Sequence, residues 1–175
     1  MSDFEPFYDV KHSYEDNYEQ GPFGAFAEAL KATPSVTSGD SSPYEGELEK
    51  KTSDGVVGEP GSAAFLGQPV NLPFGMPAGP LLNSRFATAA FRMGFDLATY
   101  KTVRSRAWGC NPFPNVLAVH PKSADGSLTP GSAELDEGVL ADTDYEQPIS
   151  ISNSFGVPSQ SPDVRLPDMR AAIAA

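Results

Sequence analysis

The chain is poor in the residues that mark several functional classes. It has one cysteine, Cys110, so no internal disulfide can form and nothing requires an oxidising compartment. Its two histidines, His12 and His120, lie far apart with no Cys, Asp or Glu at ligand spacing, which leaves a metal site without support. Basic residues are scarce: 12 Lys and Arg against 23 Asp and Glu give a formal net charge of -11. Such a surface repels phosphate backbones and anionic lipids, which argues against a nucleic-acid or membrane-surface role. No apolar run approaches the roughly 18 residues of a membrane span. The opening Met1-Ser2-Asp3-Phe4-Glu5 is acidic where a secretory signal is basic. The reading is a cytoplasmic protein with no membrane segment. Internal repeats of useful length are also missing.

What is present is unevenly distributed. Residues 1–60 hold 13 acidic and 4 basic residues, whereas 61–175 hold 10 and 8, so the acidity belongs to the front of the chain. Residues 1–31 form an aromatic, acidic arm carrying Phe4, Phe7, Tyr8, Tyr14, Tyr18, Phe23 and Phe26, too dense in rings for a solvated linker. The arm is therefore expected to pack on something. Residues 32–63 turn to Ser, Thr, Gly, Pro, Asp and Glu, a composition that cannot repay the entropy of ordering, and read as a flexible linker. The acidic front is thus expected to be partly disordered, and 64–175 to hold the folded unit.

That unit reads as α/β. The run Phe65–Val70 followed by Leu72–Met76 suggests a short antiparallel pair leading into a core strand, which breaks at Pro77-Ala78-Gly79-Pro80. Asn83 or Ser84 can cap a helix on which Phe86, Ala89, Ala90 and Met93 share a face, and Gly94 can supply a left-handed stop. A second strand over Leu97–Val103 follows at the spacing of a parallel βαβ unit. Val116–Val119 is a further strand, with Ile149–Ser152 its expected partner. Between them, Pro121–Glu146 is polar and looks like an exposed excursion. Leu166–Ala175 is expected to be helical.

Three segments that carry chemistry fall where strands give way to loops: Met76-Pro77-Ala78-Gly79-Pro80, Tyr100-Lys101-Thr102 and Asn153-Ser154-Phe155-Gly156-Val157-Pro158. In a parallel barrel such strand ends converge on one mouth. Together with Asn111-Pro112 and Pro114, these segments, in this order, resemble the dihydroorotate dehydrogenase family over about residues 65–170. The resemblance implies an FMN-dependent oxidoreductase of pyrimidine biosynthesis on a TIM (β/α)8 barrel, in which dihydroorotate is oxidised to orotate. A whole barrel takes about 250 residues, so the chain is expected to hold about two of the eight units, preceded by an antiparallel hairpin. The family's base, a serine or cysteine, its second flavin lysine and its late phosphate-gripping loops are expected beyond Ala175. A chain with so many open edges is expected to be inactive alone, marginally stable and prone to associate, including as a homo-oligomer.

The resemblance assigns Ala78, Gly79, Lys101 and Thr102 to the flavin, and Lys101, Asn153, Ser154, Phe155, Gly156 and Val157 to the small-molecule substrate. Gly79 lets backbone approach the flavin ring. Lys101 places positive charge where negative charge accumulates on reduction and where the orotate carboxylate sits. Thr102 offers a hydrogen bond, and Asn153 a donor and an acceptor for an amide-like ring edge. Plainer readings stand beside these: a solvated strand-end lysine, a turn glycine, an asparagine bonding its own backbone. Cys110 reads as a passive thiol, and Arg104 and Arg106 as solvated loop residues. The alternatives to the dehydrogenase are a non-catalytic remnant or binding module whose arm recruits a partner, and an FMN enzyme acting on another dihydropyrimidine.

Overall fold

The computed structural model describes residues 6–31, 63–71, 73–120, 138–145 and 150–174. Residues 32–62 of the expected 32–63 linker, most of the excursion from Pro121 and the chain's last residue lie outside them, and Ala63 opens the first strand instead. The described parts mix helix and strand, as read from the sequence.

The arm is helical. In α1 (Tyr14–Gln20), Ser13 and Asp16 form a reciprocal capping box: the Asp16 amide donates to Ser13 Oγ at 3.0 Å and the Ser13 amide donates to Asp16 at 3.3 Å. The Ser13 hydroxyl also holds the Asp16 carboxyl below the usual carboxylate range. After Gly21 and Pro22 the chain enters α2 (Gly24–Lys31), and Phe26 stacks on Phe7 with centroids 4.6 Å apart.

The expected hairpin is formed by β1 (Ala63–Phe65) and β2 (Gln68–Val70), antiparallel. Leu66 and Gly67 both have positive φ, 49° and 80°, the two-residue turn whose twist matches that of the flanking strands. The helix expected after the Pro-Ala-Gly-Pro turn is α3 (Ser84–Arg92). Asn83 caps it by accepting from the Arg85 amide at 3.0 Å, and Gly94, at φ 94°, ends it. Phe86, Ala89 and Ala90 are fully buried and join Tyr14, Phe26, Leu81 and Leu82 in the main core. The arm therefore covers the apolar face of α3.

The strands flanking α3 run parallel and touch at Met76 and Ala98, through Met76 N to Leu97 O (2.8 Å) and Thr99 N to Met76 O (3.0 Å). This is the βαβ order expected, with a ladder confined to one bridge because the Ala78–Pro80 turn begins two residues later. A separate three-stranded antiparallel sheet has the order β4 (Ala141–Asp142), β3 (Val116–Val119), β5 (Ser150–Asn153), with Val116 opposite Asn153. The last helix, α4 (Pro162–Ile173), starts four residues before the expected position because Pro162 is pre-organised for the first turn.

Asn83 does double duty, since its Nδ2 also donates to Tyr18 O at 2.8 Å and it is 4 % exposed. Asn83→Ala removes the cap and one of the two donors to the Tyr18 carbonyl, leaving Arg85 Nη2 at 2.7 Å. The expected loss is about 2 kcal/mol, read from urea unfolding at unchanged m.

Candidate functional site

The three motif segments occupy neighbouring positions in the fold. The parallel bridge at Met76 and Ala98 sends both strands out at the same end, so the Ala78–Gly79 turn and the Tyr100-Lys101-Thr102 segment emerge on one side. The loop after Lys101 then returns against the third segment. Trp108 and Ser159 exchange two backbone hydrogen bonds of 2.8 Å, and Asn111 Nδ2 donates to Ser154 O at 2.8 Å. Asn115 donates to Asn111 O at 2.8 Å while its own carbonyl accepts from the Ser154 amide at 2.8 Å. The Asn-Pro-Phe-Pro-Asn stretch is therefore the frame of the Asn153–Val157 loop. Among the described residues no hydrogen bond joins Gly79, Lys101 and Asn153 to one another.

Lys101 is half-buried, and Nζ has one hydrogen bond, to Thr102 O at 3.4 Å. Among the described residues no carboxylate lies within ion-pair distance of it. Burial lowers its pKa below the ordinary lysine value, with nearby Cys110 acting weakly in the other direction. An ammonium group that loses water without gaining a counter-ion favours an anion brought by a ligand. Lys101 and Thr102 line a cleft of about 10 Å³ together with Tyr14, Tyr18, Leu82 and Arg165. Arg165 Nε is buried there with no hydrogen-bond partner among the described residues. Such a cleft holds about one water, so the described residues around Lys101 do not enclose a space the size of an aromatic ring.

Gly79 is exposed, and a Cβ built on it meets no atom within 4 Å. Its backbone faces open space, the condition for a flat ring to approach it. Thr102, Asn153, Ser154, Gly156 and Val157 are exposed, and Phe155 is half-buried. Gly156 and Val157 both have positive φ, 70° and 55°. At Gly156 a Cβ would come within 2.9 Å of Asn111 Nδ2, so glycine is required there by both conformation and packing.

Several contributors escape a reading of the sequence. Arg104, expected to be a solvated loop residue, is exposed but bonded: Nε donates to Val157 O at 3.0 Å and Nη2 to Gly156 O at 3.1 Å, with the guanidinium 4.6 Å from the centroid of the Trp108 ring. Asp168 on α4 accepts from Tyr100 Oη at 2.5 Å, Ser84 Oγ at 2.5 Å and the Ser84 amide at 2.8 Å. Tyr14 and Tyr18 come from the arm, more than 80 residues before the lysine. Cys110 is half-buried, and burial with the Glu15 charge raises its thiol, which fits a passive role. Among the described residues no group of three His, Cys, Asp or Glu could hold a metal, and no helix is long and apolar enough to cross a membrane.

Comparison with known proteins gives a relative. The chain is 36% identical over 169 residues, 95% of its length, to dihydroorotate dehydrogenase of Dictyostelium discoideum. It spans about two fifths of that relative, 40% of its length. No family model matches, and no solved structure matches. The resemblance carried by the motifs is thereby borne out as a likeness to dihydroorotate dehydrogenase, consistent with an N-terminal portion.

Proposed function

We propose, on the premise of this relationship to dihydroorotate dehydrogenase, that the chain provides the first wall of an FMN site in a protein that oxidises dihydroorotate to orotate. The observation that carries the reading is Lys101, a half-buried ammonium at a parallel strand end with no counter-ion among the described residues. The βαβ crossover through α3 supports an early part of a (β/α)8 barrel. A cytoplasmic setting goes with the single cysteine.

The residues fit the cofactor in chemical kind. Open backbone at Gly79, with Ala78 before it, offers a surface to the flavin ring, and Thr102 offers a backbone and hydroxyl donor beside it. When bound, FMN supplies a two-electron acceptor for the hydride leaving the dihydropyrimidine. Lys101 stabilises the negative charge that develops at the ring and attracts the substrate carboxylate, its positive charge undiluted by any carboxylate among the described residues. Asn153, fixed at the end of β5 opposite Val116, presents both a donor and an acceptor. Ser154–Val157 add backbone groups, held in place by Asn111, Asn115 and Arg104. The base that takes the substrate's proton is assigned to no residue of this chain.

Gly79→Val tests the cofactor half of this reading. A Cβ at this position meets no atom within 4 Å, so Tm is expected to stay within about 2 °C. FMN affinity of the complete protein is expected to fall at least about tenfold, because the branched side chain stands where the ring approaches. Unchanged FMN binding counts against Gly79 as a flavin contact.

The rival in which the arm recruits an outside partner has less support, because Phe7, Tyr8, Tyr14 and Phe26 are engaged with one another and with Phe155. An FMN enzyme for a different dihydropyrimidine is separated by a substrate panel. A groove of about 400 Å³, lined by residues including Phe91, Ala98 and Ile173, leaves apolar surface open and favours the expected tendency to associate.

A further inference from the structure

The aromatic arm and the substrate-side loop meet through one side chain. Phe155 lies in the middle of Asn153–Val157, and its ring packs edge-on against Tyr8 (centroids 5.8 Å apart, 79°) and Tyr14 (6.1 Å, 60°). Neither tyrosine belongs to the three strand-end motifs. Both are fixed from beneath. Asn17, fully buried, accepts from the Asp9 amide at 2.8 Å and donates to Asp9 O at 2.8 Å and Ser13 O at 2.9 Å, which locks the turn between Tyr8 and Tyr14. Arg85 on α3 donates to Tyr18 O and Glu19 O, both at 2.7 Å, which ties the end of α1 to the core helix.

We propose that the N-terminal arm is a clamp on the substrate loop, with Tyr8 and Tyr14 as positioning residues that seat Phe155 and so hold Asn153 and the following backbone groups in their binding arrangement. The need for a clamp follows from the loop itself. Gly156 and Val157 sit at positive φ, which is strained for a β-branched residue, and Asn153, Ser154, Gly156 and Val157 are exposed. Phe155 is its anchor toward the core, and the arm supplies the rings it anchors on. The clamp deepens the dehydrogenase reading and rests on it for the identity of the substrate. The restraint on the loop does not.

The test has two parts that separate these claims. In the 175-residue chain, Tyr8→Leu is expected to speed amide hydrogen exchange at Ser154 about tenfold, the size of one lost aromatic pair, with α3 amides unchanged. Tyr14 is a core residue, so Tyr14→Leu risks general unfolding, and Tyr8, half-buried, is the primary variant. In the complete protein, Tyr8→Leu is expected to raise KM for dihydroorotate about tenfold at unchanged kcat and flavin content. Tyr8→Phe, which keeps the ring, restores the wild-type KM. Unchanged Ser154 exchange overturns the clamp. A KM that rises only in step with lost flavin and lowered Tm overturns the positioning role and leaves a merely structural one. Failure of the wild-type protein to oxidise dihydroorotate at all overturns the dehydrogenase reading and the substrate role with it, and the exchange result then still decides whether the arm restrains the loop.

Discussion

Lys101→Ala in the complete protein is expected to lower kcat/KM for dihydroorotate by about 100- to 1000-fold, the usual effect of removing one charge-stabilising donor from an active site. The cause lies in the surroundings of Lys101: its Nζ has only the Thr102 carbonyl, at 3.4 Å, and no carboxylate among the described residues to neutralise it. The fold gives up hydration of this ammonium and recovers little for itself, so truncation should leave Tm unchanged or slightly raised. Activity lost together with stability would point to a structural lysine instead. The pH dependence carries a definite sign. Burial lowers the folded-state pKa of Lys101 below the ordinary 10.5. Between that lowered value and 10.5 the unfolded chain binds the proton that the folded chain releases, so this group makes stability rise with pH there. Anion binding runs the other way: affinity for orotate is expected to weaken as pH rises through the lowered value. That limb is expected to vanish in Lys101→Met, as measured by orotate titration across alkaline pH.

The largest stability effect is expected at Asp168. One carboxylate accepts from Tyr100 Oη, Ser84 Oγ and the Ser84 amide, so it joins α4 to the first turn of α3 and to the residue before Lys101. Burial and this hydrogen bond to Asp168 raise the Tyr100 phenol well above its ordinary value, so it remains a donor throughout the working pH range. Asp168→Ala removes three bonds to a charged acceptor, each worth about 1.5–3 kcal/mol in favourable settings, and leaves the part-buried Tyr100 hydroxyl without its acceptor. Because the site is partly solvated, the expected net loss is about 3 kcal/mol, or about 10 °C in Tm for a chain of this size. Lys101 adjoins Tyr100, so flavin affinity should fall as well. A change below about 0.5 kcal/mol would mean that the Asp168 junction does not hold the helices together.

What could be read from the sequence was what short-range chemistry decides. The Asn83 cap, the Phe86, Ala89 and Ala90 stripe and the Gly94 stop specify α3 within a dozen residues, and they recur in the fold as read. The hairpin and the pairing of Val116–Val119 with the segment ending at Asn153 follow from alternation and turn chemistry. The strand expected over Leu97–Val103 is reduced to one bridge, because the ladder depends on where the partner turns away at Ala78 rather than on its own β-propensity. In the arm, the rings announced packing but not its destination. That destination depends on contacts such as Asn83 to Tyr18 O, 65 positions apart, which no local pattern encodes. The same holds for Arg104: its solvated reading is right for the side chain's exposure and silent on the carbonyls of Gly156 and Val157 that it bonds, more than 50 positions later. Asp168, in turn, looks like an ordinary helix-surface acid until the fold brings Ser84 and Tyr100 to it.

The most direct test of the account is the visible spectrum of the complete protein, purified without added cofactor and then given dihydroorotate in the absence of oxygen. The expected result is a yellow protein carrying FMN whose flavin absorbance bleaches as orotate appears, with bleaching slowed about 100- to 1000-fold in Lys101→Ala. A colourless protein that neither takes up FMN nor converts dihydroorotate would contradict it.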